Sequence, residues 1–263
     1  MSRIVVESIP ITGKTEVGPG CFILDVGRFS RLKFIRPGQF VHIGVPDSGL
    51  LFRRAFSVYD VDMERGFFSI LFKVVGRGTH RLSQVKKNDT LDVLGPLGNG
   101  FKFPGKRETL ILAAGGIGMP PIYFLAKRLV ERNYDPDKVL FFYGAVSKSE
   151  LVDVRRIKKL KTRIFLSTDD GSFGFKGFVT GVIKKAISER QEKFRIFACG
   201  PEGMLRVVDA MAHQNGIPGQ FSLEAPMPCG LGICLGCIRP LAGGGYTRVC
   251  REGPVYDIGE VVL

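Results

Sequence analysis

Over residues 1–104 the apolar positions fall in short runs closed off by glycine and proline. Ile4–Thr12, Cys21–Val26, Gln39–Val45, Ala55–Val61, Phe67–Val75 and Leu91–Leu94 read as β-strands, with Gly18-Pro19-Gly20 and Arg36-Pro37-Gly38 as turns. Strands so evenly spaced predict an antiparallel sheet closed into a barrel or folded into a sandwich. One helix interrupts them at Thr79–Val85, with Thr79 as its N-cap. After Phe103-Pro104-Gly105 the rhythm changes, and the runs Leu110–Ala114, Val139–Tyr143, Ile164–Ser167 and Ile196–Cys199 alternate with helical stretches. The helix after Gly118 carries Ile122, Leu125, Ala126, Leu129 and Val130 on one stripe, and Pro120 and Pro121 suit its first turn, where a missing N–H costs nothing. Such alternation predicts a parallel sheet with helices on both faces. From Phe221 the chain is rich in Gly and Cys and too short for a core of its own, so it needs a staple. The expectation is a multidomain β plus α/β protein: an antiparallel β-barrel domain at 1–104, a parallel α/β domain at 105–220, and a small C-terminal domain at 221–263.

Composition narrows the class. The 263 residues are 44% hydrophobic and 24% charged, with 21 Phe, enough apolar material to exclude disorder and low-complexity classes. No apolar run approaches the roughly 18 residues of a membrane span, and Met1–Pro10 lacks the apolar core of a signal peptide, so a soluble, cytoplasmic protein is expected. The net charge of +13 divides as +6 over residues 1–104, +8 over 105–220 and −1 over 221–263. A nucleic-acid binder more often concentrates its charge in a stripe. The densest run, Arg155–Lys161, reads as a solvated helix face, and dinucleotide phosphates or an acidic partner subunit account for the surplus at least as well.

Cysteine is the most informative residue. Cys21 and Cys199 stand apart, whereas Cys229, Cys234, Cys237 and Cys250 crowd the last 35 residues, which in a chain without a secretory signal points to a metal site before disulfides. The spacing Cys-x4-Cys-x2-Cys-x12-Cys is that of plant-type [2Fe–2S] binding, three thiolates from one loop and a fourth from a later strand. Gly230, Gly232 and Gly236 let the backbone close around such a cluster. Tetrahedral zinc is the alternative, but it usually takes two short Cys-x2–4-Cys pairs, and Cys250 stands alone.

Other motifs carry less weight singly. A guanidinium from Arg53-Arg54-Ala55-Phe56-Ser57 suits a pyrophosphate and Ser57 a ring nitrogen, while Gly78-Thr79 opens a helix with free N–H groups; an ordinary surface Arg, a cap and a turn explain the pieces equally. Gly115-Gly116-Ile117-Gly118 lies between a strand and a helix without completing a dinucleotide fingerprint, and Cys199-Gly200-Pro201 repeats the arrangement on a later strand. Cys199 either faces a nicotinamide or is a small buried residue. Asp169-Asp170-Gly171 suits a ribose hydroxyl or an acidic turn, and Gly95–Gly100 a tight corner at the end of the barrel. His42, His80 and His213 form no constellation, and no catalytic residue is assigned.

Taken in order, RRAFSVYD, LFK, VGRGTH, LDVLGPLGNGF, GGIGMPP, STDDGSFGFKGFVT, ACGPEGM, CGLGICLGCIRP and RVCREGPVY resemble the ferredoxin-reductase family over essentially the whole chain, and within it the electron-transfer subunits of class B, NAD-linked dihydroorotate dehydrogenases. The resemblance implies FAD on Arg54, Ala55, Phe56, Ser57, Leu71, Phe72, Lys73, Gly78 and Thr79. It implies a [2Fe–2S] cluster on Cys229, Cys234, Cys237 and Cys250, and a nicotinamide site over the flavin at Gly115, Gly116, Gly118, Cys199, Gly200 and Pro201, with NAD as substrate. Ala55 departs from the family's usual Pro. The implied partner is an FMN-containing catalytic subunit in a heterotetramer of two of each, the dihydroorotate site lying on that partner because a catalytic barrel needs about 250 further residues. A reductase subunit serving an oxygenase, a hydrogenase or an electron-bifurcating complex is the alternative. A zinc-stapled binding protein and a scaffold for an acidic partner are readings from other classes.

Overall fold

The computed structural model describes residues 4–46, 49–190 and 192–263. Six strands, β1 (Val5–Gly18), β2 (Cys21–Gly27), β3 (Phe40–Ile43), β4 (Arg54–Asp62), β5 (Phe67–Lys73) and, after helix α1 (Arg77–Ser83), β6 (Thr90–Leu97), close into an antiparallel barrel in the order β1-β2-β5-β4-β3-β6. Its interior is filled by alternate residues such as Ile9, Ile11, Leu24, Val41, Val58, Phe68, Ile70 and Val93. Two expectations shift. β1 runs six residues past Thr12 because Lys14, Thr15 and Glu16, polar and outside any apolar run, still pair with Leu24, Ile23 and Phe22 of β2. Thr79 is not the N-cap of α1: Gly76 holds that place, and Thr79 sits three residues into the helix, where its Oγ1 accepts from the amides of Val75 (2.9 Å) and Gly76 (3.1 Å). Its hydroxyl thus ties the entry of the helix from within, the third-position half of a capping box.

The second unit is a seven-stranded sheet. β7 (Thr109–Gly115), α2 (Met119–Glu131), β8 (Val139–Ala145), α3 (Val154–Lys159), β9 (Arg163–Thr168), β10 (Phe175–Lys176), α4 (Val179–Ser188), β11 (Phe194–Cys199), α5 (Glu202–Gln214) and β12 (Gly219–Ser222) follow in chain order. The order across the sheet is β10-β9-β8-β7-β11-β12, all parallel. The chain steps outward from β7 to one side, then crosses to β11 on the other. That reversal opens a crevice between the carboxyl ends of β7 and β11. No helix among the described residues is long and apolar enough to cross a membrane.

The last forty or so residues have no core of their own. A hairpin of β13 (Ile238–Pro240) and β14 (Tyr246–Arg248) is followed by β15 (Val255–Asp257), which returns to pair antiparallel with β12 as the seventh strand. Cys237, Val249 and Cys250 pack in one core with Phe221, Leu223 and Tyr256 and with Phe40, Leu94 and Leu97 of the barrel.

A polar seam locks barrel to sheet. Tyr59 on β4 donates to Asp153 (2.7 Å), Lys127 on α2 pairs with Asp60 (2.6 Å), and Arg156 lies 3.7 Å from Asp60 and 3.5 Å from Asp153. The Tyr59 and Tyr123 rings stand 4.7 Å apart beside them. Burial, reinforced by the Asp153 carboxylate, pushes the Tyr59 phenol far up, so it stays a donor.

Candidate cofactor sites

The four clustered cysteines come together in two pairs. Cys234 lies near enough to shift the Cys229 thiol, and Cys237 and, more weakly, Cys229 near enough to shift that of Cys250. Backbone amides already point at the sulfurs: Leu231 N–H at Cys229 (3.4 Å), Gly236 N–H at Cys234 (3.5 Å) and Cys250 N–H at Cys237 (3.5 Å). Burial raises the Cys229 thiol, but the amides of Cys234, Leu231 and Ile233 outweigh it and hold the group well below its ordinary value. For Cys250 burial dominates, and the neighbouring Cys237 pushes the same way, upward. Among the described residues no three His, Cys, Asp or Glu side chains close on a single metal ion. Four thiols gathered in one segment, with amide N–H groups aimed at three of the sulfurs, are a donor set that fits an iron–sulfur cluster.

The loop bends where glycine allows it. Gly230 (φ +68°) and Gly232 (φ +78°) are left-handed, and a Cβ on Gly230 would lie 2.7–3.0 Å from the imidazole of His42. Arg248 braces the loop from below, donating to the Gly232 carbonyl (3.1 Å) and forking onto Glu252. The corner at Gly98-Asn99 serves this segment, since Asn99 Nδ2 donates to the Glu252 carbonyl (2.7 Å) and its amide to the Gly253 carbonyl (2.6 Å).

Next to this segment a cleft of about 320 Å³ brings together Arg54, Ala55, Phe56, Ser57, Leu71, Phe72, Lys73 and Thr79. Gly78 lies under Arg54, where a Cβ would stand 3.1 Å from Nε. Arg53 faces away and pairs with Asp92 (2.6 Å), which leaves Arg54 as the guanidinium of the cleft. Phe56, Leu71, Phe72 and Leu223 supply apolar walls and Arg54, Ser57, Lys73 and Thr79 polar ones, a donor set suited to a flat ring with an anionic tail. Met227 and Pro254, which flank the cysteine loop, line the same cleft.

A larger cleft of about 860 Å³ opens at the crevice between β7 and β11, lined by Gly115, Gly116, Ile117, Asp169, Phe178, Pro201 and Met204 among others. Lys73 and Ile117 belong to both clefts, so groups bound in the two would abut. The glycines divide their duties. A Cβ at Gly118 would lie 2.6 Å from the carbonyl of Cys199, one at Gly200 3.0 Å from Gly115 Cα, and one at Gly115 2.7 Å from Met204 Sδ, so these three let two loops touch. Gly116 (φ +50°) has nothing within 4 Å and faces open space.

Cys199 is buried in the wall of the smaller cleft and, like Gly118 and Gly200, does not line the larger one; burial first and the Glu224 charge second push its thiol far up. Three residues escaped the sequence reading. Glu224 lines the flavin-type cleft, open to it yet crowded enough that desolvation raises its carboxyl. Arg248 and His42 are the others. Arg248, two residues before Cys250, was legible only as a charge near a clustered cysteine, and His42 only as one polar position on an apolar strand.

Fold and clefts define a two-domain reductase of the ferredoxin-reductase type with a cysteine-bearing extension. Solved structures bear this out: the NADH-dependent reduced ferredoxin–NADP oxidoreductase, known for flavin-based electron bifurcation, superposes with a TM-score of 0.86 at 32% identity over 97% of this chain and 90% of that one. The ferredoxin reductase of carbazole 1,9a-dioxygenase shares the fold (TM-score 0.70, 23% identity, 83% and 68% covered). Family models match an oxidoreductase FAD-binding domain at residues 9–103, an oxidoreductase NAD-binding domain at 112–210 and the iron–sulfur cluster binding domain of dihydroorotate dehydrogenase B at 224–262. Dihydroorotate dehydrogenase B (NAD(+)) electron transfer subunits are similar along their length, that of Enterococcus faecalis at 35% identity over 98% of both chains and that of Fusobacterium nucleatum at 39% over 86% and 87%. The chain belongs to the family of dihydroorotate dehydrogenase B electron transfer subunits.

Proposed function

We propose that this protein is the electron-transfer subunit of an NAD-linked dihydroorotate dehydrogenase, an oxidoreductase component that passes electrons from a partner catalytic subunit through [2Fe–2S] and FAD to NAD+ in pyrimidine biosynthesis. When bound, the cluster supplies single-electron transfer and the flavin converts between one- and two-electron steps. The observation that carries this reading is adjacency. Phe40 lines the flavin-type cleft and belongs to the same core as Cys237 and Cys250, and Met227 and Pro254, which flank the cysteine segment, line that cleft too, so the two sites are neighbours.

The chain's own residues then have definite tasks. Cys229, Cys234, Cys237 and Cys250 hold the cluster, with the Leu231, Gly236 and Cys250 amides spreading the charge on sulfur. Arg54 takes the FAD pyrophosphate, Ser57 and the Ala55–Phe56 backbone the ring edge, with Leu71, Phe72, Lys73, Gly78 and Thr79 completing the cradle. Gly116, with Gly115, Gly118, Cys199, Gly200 and Pro201 around it, admits the nicotinamide nucleotide, and Glu224 and Cys199 screen the junction from water. The division at 1–104, 105–220 and 221–263 follows these three tasks.

Cys234 is exposed between Ile233 (76% exposed) and Leu235 (54%), an apolar face suited to the partner. We assign that partner as an FMN-containing subunit that carries the dihydroorotate site, in a cytoplasmic heterotetramer of two of each. Anaerobic absorbance with iron and sulfide analysis tests the first half: flavin bands with about two irons and two sulfides per chain support it, and a colourless zinc protein overturns it. Co-expression with the FMN subunit tests the second half through dihydroorotate-dependent NADH formation that needs both chains. A bifurcating reductase subunit is the second reading, favoured by the 0.86 superposition; it predicts co-purification with a different flavoprotein and no response to dihydroorotate.

A further inference from the structure

The seam between the barrel and the cysteine loop is apolar, built from Phe40, Leu94 and Leu97 on one side and Cys237, Val249 and Cys250 on the other. Against it lies a buried polar side chain. His42 is 0% exposed, and neither Nδ1 nor Nε2 has a hydrogen-bond partner among the described residues. A buried N–H left unmade costs about 1–3 kcal/mol, so a folded chain does not keep an imidazole there without something to bond. The ring is fixed on both flanks. Phe40 packs against it with ring centres 5.6 Å apart, and on the other side Gly230, next to Cys229, leaves no room for even a Cβ. On β3 its backbone pairs with Ala55, in the wall of the flavin-type cleft.

We infer that His42 is a positioning residue for the iron–sulfur cluster: its ring N–H is the hydrogen-bond donor the barrel offers to the sulfur held by the cysteine loop, and its ring sets the spacing between that loop and the flavin strand. The inference rests on the proposed [2Fe–2S] reading. The chemistry is direct. An imidazole carries at least one N–H in either protonation state, and since no cysteine sulfur among the described residues lies within its reach, the acceptor is the sulfur that a bound cluster brings. A hydrogen bond to cluster sulfur favours the reduced, more negative state and so raises the reduction potential. Gly230 is then glycine for two reasons, its left-handed backbone and the ring lying over it.

The test uses the cluster-loaded full chain, wild type labelled with 15N-histidine beside His42→Phe and His42→Gln. Pulsed EPR of the reduced wild-type cluster is expected to show a weak 15N coupling that both variants lose. In His42→Phe, which keeps a ring but no donor, the cluster's oxidation–reduction equilibrium should shift three- to tenfold toward the oxidised form, a tenfold change being about 59 mV for one electron. His42→Gln, which keeps an N–H, should recover most of that shift. No 15N coupling in wild type, or equal potentials in wild type and His42→Phe at equal iron content, would overturn the assignment. If His42→Phe fails to take up iron, the wild-type coupling and the Gln variant decide alone. Iron and sulfide content reports separately on the cluster itself, and a chain without iron overturns both readings.

Discussion

A methyl group added at Gly118 would lie 2.6 Å from the Cys199 carbonyl, whereas at Gly116 it would meet nothing within 4 Å. Gly118→Ala therefore strains backbone against backbone, and about 2–3 kcal/mol of stability should be lost in denaturant titration. Gly116→Ala carries only the left-handed penalty of about 1 kcal/mol, and should instead raise KM for NADH in dye-reduction kinetics by crowding the cleft. Residues of this kind were half legible in the sequence. Glycines between a strand and a helix signalled a nucleotide loop, but which of them faces the ligand and which lets two loops touch depends on a second loop eighty residues away. The four clustered cysteines stood out because the ligand chemistry their spacing points to ties residue type and spacing together. Glu224 and His42 were not, since a lone acid or imidazole has no spacing to read.

Among the elements, the cysteine loop is held less by its own hairpin, three residues a strand, than by the Arg248–Glu252 brace beneath it. Glu252→Ala frees Arg248 from its fork, and the cluster should bleach several-fold faster in air, read at visible wavelengths, while FAD content stays at that of wild type. Periodicity delivered the barrel strands and the alternating β and α units, because apolar faces repeat at two or at 3.6 residues. It missed the outer half of β1, where Lys14–Glu16 are polar on an exposed ribbon, and it placed Thr79 at the helix cap when the hydroxyl works from inside the first turn. Local hydrogen bonding, rather than pattern, decides both.

At the scale of the whole molecule, assembly and closure can be probed separately. Ile233→Glu places a charge on the exposed face around Cys234 and should weaken association with the catalytic subunit at least tenfold in a binding titration, with iron content unchanged. Asp257 ties the last strand to the interdomain linker. Burial pushes its carboxyl up, but hydrogen bonds from Lys102 (3.0 Å) and Gln220 (2.8 Å) outweigh that and hold it below its ordinary value. A depressed carboxyl stabilises the fold above its unfolded-state pKa and loses that contribution as pH falls through the folded one. Asp257→Asn should thus cost about 0.5–1 kcal/mol at pH 7, in line with a half-exposed ion pair, and the gap to wild type should close in urea titrations as pH falls below the ordinary carboxylate range. The same strand has a consequence for how the cell handles the newly made chain. β15 covers the otherwise open rim of β12 with three residue pairs, and it begins five residues after Cys250. With the proposed cluster anchoring Cys250, a chain denied iron should hold that cover less firmly, and a bared rim is a template on which copies of the chain stack. Iron starvation should therefore drive the chain into inclusion bodies, scored as the pellet fraction against iron-replete growth, so that the supply of the metal sets how much protein survives as well as how much works.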